Sequence, residues 1–288
     1  MTQVKSQPDK NLTLAYSTCP NDTFIFYALA HGLIDCEGIA FETVLKDVEA
    51  LNQDARLGRY DISKLSFAAV GHLKESYGLL RSGAALGRGC GPLIVARPGF
   101  DLSRLKSAVT AVPGLWTTAC MLLGLYIGEE PKTFPVRFDK IMPAVARKDF
   151  DAGVIIHEGR FTYQDHGLVC LMDLGEWWEE KTGLPIPLGG ICASRTLGEE
   201  TVAKVEAAIR KSVVYANEHP GAADDYIRLH AAEMSEPVVA SHIDLYVNDF
   251  SIDLGQEGEK AVETLFEMAE KAGMVPPSRS EEHTSELQ

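Results

Sequence analysis

Short apolar runs of strand character alternate with helical stretches along this chain, and that alternation limits the fold more than any single motif. Leu12 to Tyr16 reads as a strand; a turn over Ser17 to Asn21 follows, and Asp22 is placed to N-cap a helix through Phe26 and Leu29. Next come a strand over Phe41 to Leu45, a helix opened by Asp47, a strand over Asp61 to Leu65, and a helix from Phe67 to about Glu75. Such a βαβα rhythm implies an α/β fold with a parallel or mixed sheet covered by helices. Leu93 to Arg97 is a further strand that stops at Pro98-Gly99. A second series then runs through a strand at Ala108 to Val112, a helix carrying Thr117 to Tyr126, a strand over Pro135 to Phe138, and a helix over Ile141 to Arg147. It closes on the apolar run Val154-Ile155-Ile156, which stops abruptly at His157-Glu158-Gly159.

Ile191-Cys192-Ala193 is a candidate return strand, and the remainder is helical. Val202, Val205, Ile209, Val213 and Ala216 recur at spacings of three and four, as do Val262, Leu265, Phe266 and Ala269. The chain therefore completes one α/β half, crosses to a second near 95–98, and returns near 190–194. That pattern predicts two lobes, a larger discontinuous one (12–96 plus 193–277) and a smaller one (97–192). Two hinge crossings and a central cleft lie between them, and such clefts are preferred places for small ligands. The polar ends, 1–11 and 278–288, read as disordered tails, and the second of them as foreign to the fold.

Composition narrows the partners. The chain has 288 residues, with 27 basic against 41 acidic, a net charge of −14. Nucleic acid and anionic membrane both need clustered Lys and Arg, so neither is expected as a partner. No apolar run approaches membrane-spanning length, and the polar segment Met1 to Asn11 lacks the apolar stretch of a signal peptide, so a cytoplasmic protein is expected. Six cysteines at 19, 36, 90, 120, 170 and 192 form no CxxC and no cluster, which fits reduced, mostly core thiols rather than a zinc site. A homodimer through the helical return segment is compatible with the pattern, though no exposed stripe demands it.

Five segments fall at strand ends or turns where loops of two lobes could converge. His157 follows the strand run, where ligands of α/β proteins bind and where an imidazole can move protons near neutral pH; a simple strand cap is the competing reading. Ser17 to Thr23, with Asn21 and Asp22 as candidate substrate contacts, offers hydroxyls and the first amides of a helix, or plain capping. Lys64-Leu65-Ser66 could pair with an anion, or Lys64 could be a surface charge. Thr117-Thr118-Ala119, after Pro113-Gly114, suggests an anion or polyol at another helix start, with capping accounting for one threonine. Gly87 to Pro92 is neither a dinucleotide fingerprint nor a P-loop, so it predicts a hinge or tight turn and no nucleotide cofactor. His157-Glu158 lacks the second histidine of HExxH, and His166 is too distant to complete it, so no metal is expected. No GxSxG elbow appears, and Cys19 at a helix start is a weak nucleophile candidate. Trp177-Trp178 reads as packing for the second lobe.

The segments CPNDTFIFYALAHG (19–32), LRSGAALGRGCGPLIVAR (80–97), VIIHEGRFTY (154–163), DLGEWWEEKTGLPIPLG (173–189) and RKSVVYANEHP (210–220) together resemble the 1,4-dihydroxy-6-naphthoate synthase family of the futalosine route to menaquinone, from about Leu12 to Val275. The resemblance implies a two-lobed fold like the type 2 periplasmic binding proteins. It also implies cleavage of cyclic dehypoxanthine futalosine to 1,4-dihydroxy-6-naphthoate, a carbon–carbon lyase reaction without cofactors. His157 is then the proton acceptor, and Lys64, Leu65, Ser66, Thr117, Thr118 and Ala119 are the substrate contacts; Gly159 stands where some relatives carry serine. Two other readings share the fold: a cytosolic small-carboxylate receptor or sensor, and a chorismate-dehydratase-like relative. A carboxylate receptor would favour arginine over histidine, no effector domain accompanies the chain, and VIIHEGRFTY argues against the dehydratase.

Overall fold

The computed structural model describes residues 10–231 and 235–277. The first half of the chain is β1 (Lys10–Tyr16), α1 (Pro20–Ala30), β2 (Ile39–Leu45), α2 (Val48–Arg56), β3 (Ile62–Ser66), α3 (Phe67–Leu73), β4 (Tyr77–Leu79) and β5 (Ala85–Gly87). The middle is β6 (Leu93–Ala96), β7 (Thr110–Val112), α4 (Thr118–Ile127), β8 (Thr133–Pro135), α5 (Phe138–Ala146), β9 (Ala152–Ile155), α6 (Gly159–Thr162), β10 (Val169–Asp173) and α7 (Leu174–Thr182). The return is β11 (Ile186–Ser194), α8 (Glu199–Glu218), α9 (Asp224–His230), α10 (Glu236–Tyr246), α11 (Asp249–Ile252) and α12 (Gly255–Lys271).

These strands form two mixed sheets, one per lobe. The first has the order β2-β1-β3-β11-β4, with β5 also on β11; β1 runs parallel to β2 and β3, and β11 is antiparallel to its neighbours. The second has the order β10-β6-β9-β7-β8. Leu93–Ala96 pairs antiparallel with both β9 and β10 and so belongs to the second sheet, whereas the expected boundary put it in the larger lobe. Likewise β11 already belongs to the first sheet from Ile186. The chain therefore changes sheets at 88–92 and 183–185, several residues before each expected crossing. At the first crossing Gly91 lies against Gly175, and a Cβ added there would stand 2.2 Å from the Gly175 nitrogen. Only glycine permits that approach.

Local rules explain most elements, and their failures are instructive. Asp47 caps α2 by accepting from the Glu49 and Ala50 amides, as its position predicts. Asp22 is not the cap of α1: that helix starts at Pro20, with Cys19 at the N-cap and no side-chain cap. Proline at the first helical position has no amide to satisfy and a preset φ, so the helix begins earlier, and Asp22 is released for other bonds. The strand expected over Pro135 to Phe138 is instead Thr133–Pro135, and Phe138 opens α5. β1 begins at Lys10, so Lys10 and Asn11 are strand rather than tail, while 1–9 and 278–288 lie outside the described residues. Val205, Ile209, Val213 and Ala216 bury one face of α8, and the first three pack with Leu14, Phe26, Ile62 and Ile191 of the first lobe. Trp178 is wholly buried and Trp177 packs beside it. The six thiols are unpaired: Cys19, Cys90 and Cys192 are buried as core residues, Cys36 and Cys120 are half-buried, and Cys170 is exposed.

Candidate active site

A single cavity between the lobes, with an empty volume of about 680 Å³ including its mouth, gathers all nine candidate residues: Asn21, Asp22, Lys64, Leu65, Ser66, Thr117, Thr118, Ala119 and His157. β3 delivers Lys64 to Ser66 at its carboxyl end; β11 pairs beside it in the register Gly189 to Ser66 and Gly190 to Leu65. Gly189 is required there, since a Cβ would lie 2.7 Å from the Leu65 carbonyl oxygen.

Lys64 is not a surface charge. Its ammonium lies 3.1 Å from Asp22 Oδ1 and donates to the Gly83 carbonyl at 3.2 Å, with both side chains of the ion pair under a tenth exposed. Asp22 is otherwise saturated: Oδ2 accepts from the Ser17 amide and hydroxyl, and Oδ1 accepts from the Asn21 amide group. The floor of the cavity is thus a neutralised pair rather than a bare cation. Both threonine hydroxyls are also committed to the protein. Thr117 Oγ1 donates to the Gly114 carbonyl and caps the Cys120 amide; Thr118 Oγ1 donates to the Leu188 carbonyl and accepts from the Ala68 amide. Among the described residues, the Thr118 and Ala119 amides at the start of α4 have no partner. With the Ser66 hydroxyl, they are the donors this wall offers an anion or a hydroxyl group.

Asn52 ties these pieces together, and nothing in its sequence surroundings announces it. Fully buried, it accepts from the Ser66 amide and donates to Ser66 Oγ and the Trp116 carbonyl, linking β3 to the loop before α4. Tyr246, from α10, also lines the cavity and was equally unmarked in the sequence.

His157 sits two residues beyond β9 with φ +55, a left-handed backbone that a non-glycine residue adopts at a cost of roughly 1–2 kcal/mol. Such strain tends to persist where the surrounding structure requires one side-chain direction. Burial pushes its pKa down to about 4, against the opposing pull of the Asp22 carboxylate and with the help of Lys64. The ring is therefore neutral at pH 7 and able to take a proton. The edge of Phe138 packs on it with ring centres 5.4 Å apart. Cys19 does not fit a nucleophile: burial and the nearby Asp22 charge push its thiol pKa far up, keeping it protonated. Among the described residues no group of three or more His, Cys, Asp or Glu could hold a metal ion, and no helix is long and apolar enough to cross a membrane.

Two sheets, two crossings and an interlobe cavity define a periplasmic-binding-protein-like fold. The alkanesulfonate-binding protein of Xanthomonas axonopodis pv. citri superposes with a TM-score of 0.69 at 14% identity, over 94% of this chain and 96% of its own, a likeness of fold alone. The chain belongs to the menaquinone biosynthesis family, whose sequence profile matches residues 12–271. It is 52% identical to the 1,4-dihydroxy-6-naphthoate synthase of Thermus thermophilus over 93% of this chain and 97% of that one. To the enzyme of the same name from Streptomyces coelicolor it is 43% identical, over 92% and 95%.

Proposed function

We propose that this chain is a cytoplasmic 1,4-dihydroxy-6-naphthoate synthase that cleaves cyclic dehypoxanthine futalosine without a cofactor, on the futalosine route to menaquinone. The observation that carries this reading is a histidine held at a strand end in the interlobe cavity of a chain so similar to two synthases. His157 accepts a proton from the bound substrate, a carbon–carbon bond breaks, and aromatisation of the released naphthoate supplies the driving force. The Thr118 and Ala119 amides and the Ser66 hydroxyl hold the carboxylate or sugar hydroxyls; Lys64, already paired with Asp22, sets the local potential rather than acting as the anion's main partner. A positioned base contributes about 10²–10⁴-fold, so orientation within the cleft must contribute the rest.

Incubating the purified chain with cyclic dehypoxanthine futalosine and separating the products by chromatography tests the reading. Naphthoate is the expected product. Tight binding without turnover would instead support a receptor, although among the described residues no arginine, the preferred partner of a carboxylate, lines the cavity.

A further inference from the structure

A second histidine stands behind the first. His242 is wholly buried on α10, its ring centre 6.0 Å from that of His157 and the ring planes 34° apart. It lies one helical turn before Tyr246, whose ring is 4.5 Å away and which lines the cavity. Among the described residues, neither His242 ring nitrogen has a hydrogen-bond partner. Two other helix-borne or helix-terminal histidines behave differently: His31 and His219 each place Nδ1 on the carbonyl four residues earlier, at 2.9 and 2.8 Å. Burying an unpaired polar group is unfavourable, and a leucine would fill the same space without that cost. Packing alone therefore does not account for an imidazole here.

An imidazole–imidazole hydrogen bond of about 3 Å places two ring centres roughly 5 Å apart. The observed separation is only about 1 Å beyond direct contact, within reach of a side-chain adjustment as the cleft takes up substrate. We infer that His242 is a positioning residue for His157: its neutral ring accepts the N–H of the His157 nitrogen that faces away from substrate. This fixes the tautomer of the base and stabilises the imidazolium once His157 has taken the substrate proton. The proton moves from substrate to one nitrogen of His157, the other nitrogen keeps its hydrogen, and His242 remains neutral. Burial and the neighbouring His157 hold its pKa down to about 3, so its lone pair is free at working pH.

The inference rests on His157 being the base, and the experiment separates the two. His242→Leu removes both nitrogens, and His242→Gln retains a carbonyl acceptor. The leucine variant should melt no lower than wild type while kcat for naphthoate formation falls about 10- to 100-fold, a fraction of the base's own contribution, with KM within about threefold. The glutamine variant should recover much of that loss. In a His157→Ala background, His242→Leu should cost nothing further, since coupled residues are not additive. Ring-nitrogen NMR of the protein with 1,4-dihydroxy-6-naphthoate bound gives a readout independent of turnover: His157 shifts should move in His242→Leu. Unchanged shifts, kcat within twofold of wild type, or an equal loss without His157 would each overturn the pairing. A wild type that forms no naphthoate would overturn the functional reading, and the spectrum would then decide the pairing by itself.

Discussion

Replacing Asp22 with Asn keeps the shape of the cavity floor and removes the charge opposite Lys64. At the 3.1 Å separation of this pair, an effective dielectric near 20 gives an attraction of about 5 kcal/mol. Much of it offsets the desolvation of the two ions, so the measurable quantity is the cost of stranding one of them, typically 3–5 kcal/mol. The new amide also brings a donor to a place where the Ser17 amide and hydroxyl and the Asn21 amide group all need an acceptor. We expect a loss of about 3–5 kcal/mol in urea unfolding, a midpoint lower by roughly 1–2 M. Asp22 is also the group that pulls the His157 pKa upward, so its removal should lower that pKa further. The double variant Asp22→Asn/Lys64→Met should recover most of the lost stability, because an apolar replacement of a buried pair is often neutral. A single variant within about 1 kcal/mol of wild type would refute the reasoning. So would a double variant as unstable as the single one, since Lys64 would then not be the stranded charge.

Two further predictions concern the hinge and the histidines. Gly91→Ala forces a methyl into the backbone of Gly175, 2.2 Å from its nitrogen, and should cost at least about 1–3 kcal/mol, read as a lower melting temperature; an unchanged melt would contradict the tight crossing. His157 and His242 resist protonation in the fold, with pKa values near 4 and 3, whereas the unfolded chain takes up protons near 6.5. Above pH 6.5 they add no proton-linked penalty, and stability is lost as pH falls from there towards 4 and 3; for His242 the loss is on the order of 3 kcal/mol by pH 4. Thermal melts across that window should show a gentler decline in His242→Leu, and an equally steep one would contradict this account of His242.

What could be read from the sequence was local. Lys64 to Ser66 and the Thr117 turn were legible because an apolar strand running into a helix start marks where α/β loops gather, and His157 because it ends such a run. The start of α1 was misplaced because Pro20 at the first helical position outweighs Asp22 as a stop-and-start signal. The crossings were misplaced for a different reason. Leu93–Ala96 looks like any strand, and its lobe is decided by pairing with residues some 60 and 75 positions later, which no local pattern encodes. Chemistry that depends on long-range juxtaposition was likewise hidden. Asn52 reads as an ordinary polar residue in α2, and His242 and Tyr246 as two positions in a helix far from the motifs. Only the packing of α10 beside α1 and β5 brings Tyr246 to the cavity and His242 beside His157. The roles of the threonines could not be read either, since capping and ligand binding call for the same residue type at a helix start.

The most direct measurement compares naphthoate formation by wild type and His157→Asn at saturating cyclic dehypoxanthine futalosine, with binding of the compound followed in parallel. Asparagine tolerates the left-handed backbone at φ +55, so the fold and the cleft should survive the change. The account predicts that the variant binds the compound and loses at least about 10²-fold in kcat. A variant that keeps the wild-type rate would contradict it and leave His157 a structural residue.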